Sequence, residues 1–277
     1  MNHTHETAPT QFVKTQGIRY AYRRFGKSGS VPVLFLEYFN SNMDGWDPLV
    51  TNSFAADYHV ILFNNAGVAS SGGETPATVP KMAEHCVTFC RALGLDAINI
   101  VGFSLGGMVA QQLALDHPQL VKRIILLGTG PRGGEGMTFT ELSPEEQADP
   151  IRFLMAAFFT ASDASIAAGK AYMERLKSRK EDRDPPVSRE SAVAQLSAIR
   201  EWGTIPSSDR YATLKNIKHH ILVIHGNKDI VVSPINGFLL AEHLPDAQLI
   251  VYPDSNHGAQ YQHADLFLKH AKTFLSE

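Results

Sequence analysis

One stretch, INIVGFSLGGMVAQQLALDHP (residues 98–118), constrains the fold more than any other part of the chain. A β-branched, apolar run ends at Gly102, and a helical pattern begins at Leu105 and stops before Pro118. A turn that joins strand to helix this abruptly has no room for side chains, so Gly102 and Gly106 flank it. Ser104 is then held in a strained backbone, with its hydroxyl exposed at the helix N-terminus. The N–H of Leu105 and the helix dipole point at any oxyanion formed on a carbonyl that Ser104 attacks.

The rest of the chain supplies a sheet around that turn. Residues 11–26 alternate like a hairpin turning near Gln16-Gly17. Short apolar runs follow at 31–36, 59–63, 97–103, 123–128, 220–226 and 248–252, the pattern of strands buried on both faces. Helical patterns separate most of them; that of residues 78–94 spaces Met82, Cys86, Phe89 and Leu93 on one face and stops at Gly94. The expected fold is α/β: a mostly parallel central sheet of about eight strands with helices on both faces and a helical cap. The cap is the segment 131–214, which has no strand-like run. It divides the core into a first part, 1–130, and a second, 215–277.

Composition excludes several functions. A net charge of −3 and a pI near 6.5 leave no electrostatic footprint for nucleic acid or an acidic membrane. No apolar stretch approaches the roughly 18 residues needed to span a bilayer. The polar N-terminus lacks the apolar core of a secretory signal. A cytoplasmic protein is expected, with a disordered tail carrying His3 and His5. Cys86 and Cys90, the only cysteines, lack a recognisable ligand set and read as core residues. No metal and no cofactor is expected.

A serine nucleophile needs a base and an orienting acid. Asp229 follows the strand HILVIHG, and His257 follows the last strand and precedes the last helix. The order Ser104, Asp229, His257, each in a loop after a parallel strand, puts all three on one sheet edge. His257 then takes the serine proton, while Asp229 fixes its tautomer and stabilises the imidazolium. Asp254 is too close along the chain to reach His257 easily, Asp96 lies at the opposite sheet end, and Asp116 and His117 are far from Ser104. His225 reads as a satisfied core histidine. Asp44 reads as the N-cap of a helix carrying Trp46 and Leu49.

On GFSLGG, NKD, NHG and FNNAGVASSGG the chain resembles the α/β-hydrolase family over nearly its whole length, and in particular its small cap-bearing members. Residues 63–73 are similar to a family turn written D-x-R-G-x-G-x-S. Asn64 stands for the acid, Ala66 for the arginine and Ala69 for the second glycine, while Gly67 and Ser71 are kept. The resemblance implies a second oxyanion donor in the loop after VLFL, where the family carries His-Gly and this chain has Glu37, Tyr38 and Phe39. By that register the donor is the Phe39 amide, with Tyr38 next. An ionised Glu37 aimed at the hole would oppose the developing charge, so the side chain is expected to point away, to be protonated, or, as the favoured reading, to be neutralised by backbone N–H groups of its own loop.

The expected activity is that of an esterase- or lactonase-like serine hydrolase, cleaving a carboxylic ester or lactone through an acyl-enzyme on Ser104. Glu37, Tyr38, Phe103, Phe158 and Trp202 are candidate pocket residues. The alternatives on the same triad are a cofactor-free haloperoxidase-like peroxidase or perhydrolase and a C–C bond hydrolase. A third is a non-catalytic small-molecule-binding member of the fold. The expected partner is the small-molecule substrate, with a homodimer left open.

Overall fold

The computed structural model describes residues 3–137, 149–204 and 210–277. Two stretches of the inserted segment, 138–148 and 205–209, lie outside them. Eight strands form one sheet: β1 (Gln11–Thr15), β2 (Ile18–Gly26), β3 (Val33–Leu36), β4 (His59–Phe63), β5 (Ile98–Phe103), β6 (Val121–Leu127), β7 (His220–Gly226) and β8 (Ala247–Tyr252). Their order is β1-β2-β4-β3-β5-β6-β7-β8. Pairing is antiparallel for β1/β2 and β2/β4 and parallel from β4 to β8. Gln16 and Gly17 both have positive φ, at 48° and 80°, which is what a two-residue hairpin turn requires.

The described helices are α1 (Pro48–Ala55), α2 (Val79–Ala92), α3 (Leu105–Asp116), α4 (Pro150–Phe158), α5 (Asp163–Leu176), α6 (Arg189–Gly203), α7 (Ile235–His243), α8 (Ala259–Gln262) and α9 (Ala264–Ser276). The period of two along each strand splits the core into two layers. Leu34, Leu36, Ile98, Ile100, Ile124 and Leu126 pack with α2, α3 and Trp202 of α6. Val33, Phe35, Val101, Phe103, Ile125 and Leu127 face the other way, toward α1, α9 and the aromatics of α4 and α5. Cys86 and Cys90 are free and buried in the first layer.

Between β6 and β7 the chain leaves the sheet for α4, α5 and α6, and buried polar bonds fasten this insertion to the core. Arg23 of β2 is fully buried and paired with Asp44. It also donates from Nε to Thr10 Oγ1 at 3.0 Å and from Nη2 to the Asp182 carbonyl at 2.8 Å. Asp184, between α5 and α6, accepts from Asn64 Nδ2 at 2.9 Å and Ser70 Oγ at 2.6 Å, and its amide donates to Asp44 Oδ2 at 2.7 Å. The family acid missing at Asn64 is thus matched by an aspartate arriving from the insertion. Arg175 of α5 clamps Asp47, donating from Nε to Oδ1 at 2.8 Å and to Oδ2 at 3.1 Å and from Nη2 to Oδ2 at 2.6 Å.

Two local expectations change. Asp44 does not cap α1; the cap is Asp47, whose side chain accepts from the Leu49 amide, and Trp46 precedes the helix. Asp44 sits in a single 3₁₀ turn, where the charge of Arg23 holds it. The N-terminal segment is not a loose tail at His5. That ring is buried, bonds Thr51 Oγ1 at 2.9 Å, and has its pKa lowered to about 4, chiefly by burial and then by Arg23. Arg179 of the insertion donates to the carbonyls of His5 and Glu6.

The buried network makes a stability prediction. Arg23→Met removes the shorter of the two buried cation contacts of Asp44, leaving Arg179 at 3.8 Å, and the Arg23 contact of Asp184; it should cost about 3–5 kcal/mol in urea unfolding at pH 7. A loss below about 1 kcal/mol would show that the network is not needed to seat the insertion.

Candidate active site

Ser104 sits between β5 and α3 with φ 52° and ψ −112°, a backbone region that L-residues avoid. Such strain costs on the order of 1–3 kcal/mol and persists only where the surroundings enforce it. Here they do. A Cβ on Gly102 would come within 2.6 Å of the Gly106 carbonyl oxygen, and one on Gly106 within 2.1 Å of the Leu36 carbonyl oxygen. The Ser104 amide donates to the Leu127 carbonyl at 2.9 Å, and its own carbonyl accepts from Thr129 Oγ1 at 2.8 Å. Its side chain does not cap α3. Leu105 is the first residue of that helix, where a backbone N–H has no acceptor within the helix.

Asp229 and His257 come together across 28 residues of chain. His257 Nδ1 lies 2.8 Å from Asp229 Oδ2, with both side chains buried. Asp229 Oδ1 accepts from the Val231 and Val232 amides, each at 2.9 Å. Burial alone would push the Asp229 carboxyl up; the charge of His257 and hydrogen bonds from His225 and His257 outweigh it and hold the group far below the usual carboxylate range. The Asp229 pairing leaves the other ring nitrogen, Nε2, for a second partner. The His257 ring packs on Phe103, one residue before Ser104, with centroids 4.8 Å apart, and lies edge-on to Phe158 of α4 at 5.8 Å. A Cβ on Gly128, next to the Leu127 carbonyl that holds Ser104, would come 3.0 Å from His257 Nδ1.

The loop after β3 runs past the same place. Asn40 turns it through φ 57°, and the Asn40 amide donates to Gln195 Oε1 of α6 at 2.8 Å. Phe39 is partly buried against the first core layer. Glu37 and Tyr38 line a cavity of about 40 Å³ together with Leu36, Val68, Leu105 and Val109. That space holds about three waters or a short alkyl tail, at roughly 10–15 Å³ per water in the same measure.

Glu37 is not met by backbone N–H groups of its loop, contrary to the expectation from sequence. Ser41 Oγ reaches Oε2 at 3.4 Å, and Oε1 is buried with no hydrogen-bond partner among the described residues. Burial first, then the Asp184 charge, push its pKa well above the ordinary value, with Trp46 and Ser41 opposing and Asp44 adding. The Trp46 N–H pulls toward the charged form, yet neither Trp46 Nε1 nor Glu37 Oε1 completes a hydrogen bond of good geometry. These surroundings favour the neutral carboxyl over the carboxylate relative to water.

Other residues singled out in the sequence lie elsewhere. The Trp202 ring is buried in the first core layer, and its N–H donates to the Gly130 carbonyl at 3.2 Å, so it braces the insertion and does not border the cavity. Phe103 and Phe158 pack on His257. Asp254 turns away to Ser162, Thr160 and Lys228. Asp96 and Asp116 are exposed.

Two residues gain roles that the sequence reading missed. His225 Nε2 bonds the Val232 carbonyl at 2.9 Å and lies 3.2 Å from Asp229 Oδ2, bracing the acid turn from inside β7. Asn256 bonds both loops of the pair, accepting from the Ile230 amide at 2.8 Å and the His257 amide at 3.1 Å. Its signal was its place directly before the histidine in NHG.

Known proteins share this architecture. A family model described as the alpha/beta hydrolase fold matches residues 31–264. An alpha/beta hydrolase fold protein from Chitinophaga pinensis is 36% identical and superposes with a TM-score of 0.92 over 99% of each chain. Est816, described as an N-acyl homoserine lactone degrading enzyme, is 28% identical with a TM-score of 0.69, covering 95% of this chain and 100% of that one. The 2-hydroxy-6-oxo-6-phenylhexa-2,4-dienoate hydrolase of Burkholderia cepacia is 30% identical over 88% of this chain and 87% of its own.

The buried acid predicts a pH signature. As pH rises through 4.5, Glu37 ionises in the unfolded chain but not in the folded one. Stability then falls by about 1.4 kcal/mol per pH unit until the raised folded value is reached. Glu37→Gln should flatten that decline and leave the protein more stable than wild type at pH 8, read from urea midpoints at pH 5 and pH 8. Equal slopes for the two proteins would show that Glu37 ionises normally.

Proposed function

The chain belongs to the alpha/beta hydrolase fold family, and from that premise we propose that it is a serine hydrolase acting on a carboxylic ester or lactone. The reading is carried by one observation: a buried Asp229–His257 pair at 2.8 Å whose histidine ring packs on Phe103, directly before a strained serine at a strand–helix turn. His257 Nε2 takes the Ser104 hydroxyl proton as the oxygen attacks the substrate carbonyl. Asp229 stabilises the imidazolium that forms. The amides of Leu105 and Phe39 hold the oxyanion of the tetrahedral intermediate, each such donor being worth roughly 10²–10³ in rate. The intermediate collapses by breaking the carbon–oxygen bond to the leaving group. That oxygen takes the proton from His257. Water, deprotonated by His257, then attacks the acyl-enzyme; the acid departs and Ser104 recovers its proton.

The helices of 131–214 act as the cap, and Phe158 closes over His257. The small cavity beside Leu105 takes the acyl side of the substrate, which favours short chains. Support for the ester or lactone comes from the resemblance to Est816. A second reading, cleavage of a C–C bond beside a carbonyl, draws on the Burkholderia cepacia relative; it uses the same triad but a carbon leaving group. The fold does not choose between them.

A panel of p-nitrophenyl esters and lactones of increasing acyl length, with and without hydrogen peroxide, tests the reading. We expect hydrolysis highest at two to four acyl carbons and lowered by about 10⁴-fold or more in Ser104→Ala and by about 10⁴-fold in Asp229→Asn. Hydrolysis that survives Ser104→Ala would end the serine-hydrolase reading. Peracid formation outrunning hydrolysis would replace it with a perhydrolase.

A further inference from the structure

The loop that carries His257 is seated on the first inserted helix as well as on the sheet. Asn256 is the joint. Its side chain is 5% exposed and every polar atom on it is used. Oδ1 accepts from the Ile230 amide, one residue past Asp229, at 2.8 Å and from the His257 amide at 3.1 Å. Nδ2 donates to the Ala156 carbonyl near the C-terminus of α4 at 3.0 Å. The neighbouring amides follow: His257 N–H also reaches the Ala157 carbonyl at 3.2 Å, and Gly258 N–H the Phe158 carbonyl at 3.0 Å. The contact is close, since a Cβ on Gly258 would come 2.8 Å from Phe158 Cβ.

Helix ends leave their last carbonyls without intrahelical donors. In α4 those carbonyls are met by the loop of the base. A shift of α4 therefore breaks three bonds to residues 256–258 or carries that loop with it.

We propose that Asn256 is a positioning residue that locks the Asp229 turn, the His257 loop and α4 into one unit, so that the placement of the inserted helices sets the Asp229–His257 geometry. Two properties of the side chain suit it to this. The carboxamide offers an acceptor toward the pair and a donor toward the helix in one rigid plane, which neither Asp nor Ser does. It is also buried, so these bonds are not traded for water without cost. The groups facing His257 make the consequence readable. Asp229 is its charged neighbour, with His225 behind that carboxylate. Phe103 of β5 and Phe158 of α4 meet the ring as uncharged aromatics. Lys228 and Asp254 pair with each other at the exposed rim.

The test titrates the His257 ring by NMR in wild type, Asn256→Ala and Asn256→Asp, and measures fluorophosphonate labelling of the same samples. Asn256→Ala frees the loop, weakens the hold of Asp229 on the imidazolium, and should move the His257 midpoint to lower pH. Asn256→Asp keeps the acceptor and adds negative charge beside the ring, and should move it to higher pH. Labelling, which rests on the serine-hydrolase reading, should slow about 10- to 100-fold in Asn256→Ala, the scale of a misplaced catalytic group. A midpoint equal to wild type in folded Asn256→Ala would overturn the inference; if that variant does not fold, Asn256→Ser, too short to span from the Ile230 amide to the Ala156 carbonyl, takes its place, and an unmoved midpoint there overturns it. The NMR readout needs no catalysis. Shifted midpoints with no labelling of wild type would therefore refute the hydrolase reading and leave the positioning role standing.

Discussion

Two carbonyl groups and two missing side chains determine where everything in this molecule can sit. The Leu36 carbonyl lies where a Gly106 Cβ would be, and the Gly106 carbonyl lies where a Gly102 Cβ would be. This contact lets α3 start directly against the end of β3, so the loops after β3, β5 and β6 are crowded together. Ser104 carries the strain at φ 52°. Its amide is fixed by Leu127 and its carbonyl by Thr129, both at the end of β6. The parallel register of β6, β7 and β8 then brings the next two loops, with Asp229 and His257, to the same edge.

The insertion is held by a different kind of force. Apolar side chains of the insertion pack into both core layers, and polar bonds fix its seating: Arg23 with the Asp182 carbonyl, Asp44 with the Asp184 amide, Arg175 with Asp47, and Asp184 with Asn64 and Ser70. Pairs of this kind add little net stability when intact, because desolvation offsets attraction, yet breaking one leaves an uncompensated buried charge. They favour one placement of the insertion over others. Glu37 stands beside this network and is the acid left over. Burial, then the Asp184 charge and lastly that of Asp44, push its pKa well above the ordinary value.

Much of this was legible from residue order. The glycines of GFSLGG, the β-branched runs and the turn at Gln16-Gly17 state local backbone requirements, and local requirements survive into the fold. So did the pairing of Asp229 with His257, because loops after successive parallel strands share an edge. The rest depended on long-range partners that no spacing announces. Asp44 looks like a helix cap until Arg23, 21 residues earlier, is seen beside it. Asn64 looks like a lost acid until Asp184, 120 residues later, supplies one. His5 looked like tail and is core because Thr51 and Arg179 enclose it. Trp202 has the composition of a pocket residue, but its N–H is spent on Gly130. Asn256 was passed over because a polar residue in a loop reads as solvated unless its three partners are known.

The central claim is that Ser104 is an activated nucleophile driven by His257 and Asp229. Its most direct test is peptide mapping by mass spectrometry after exposure of the wild-type protein to a fluorophosphonate at pH 7. The account predicts a single phosphonylated serine, Ser104, in the peptide containing GFSLGG, and loss of that adduct in His257→Ala. An unmodified Ser104 in the folded wild-type protein, or equal modification with and without His257, would contradict it.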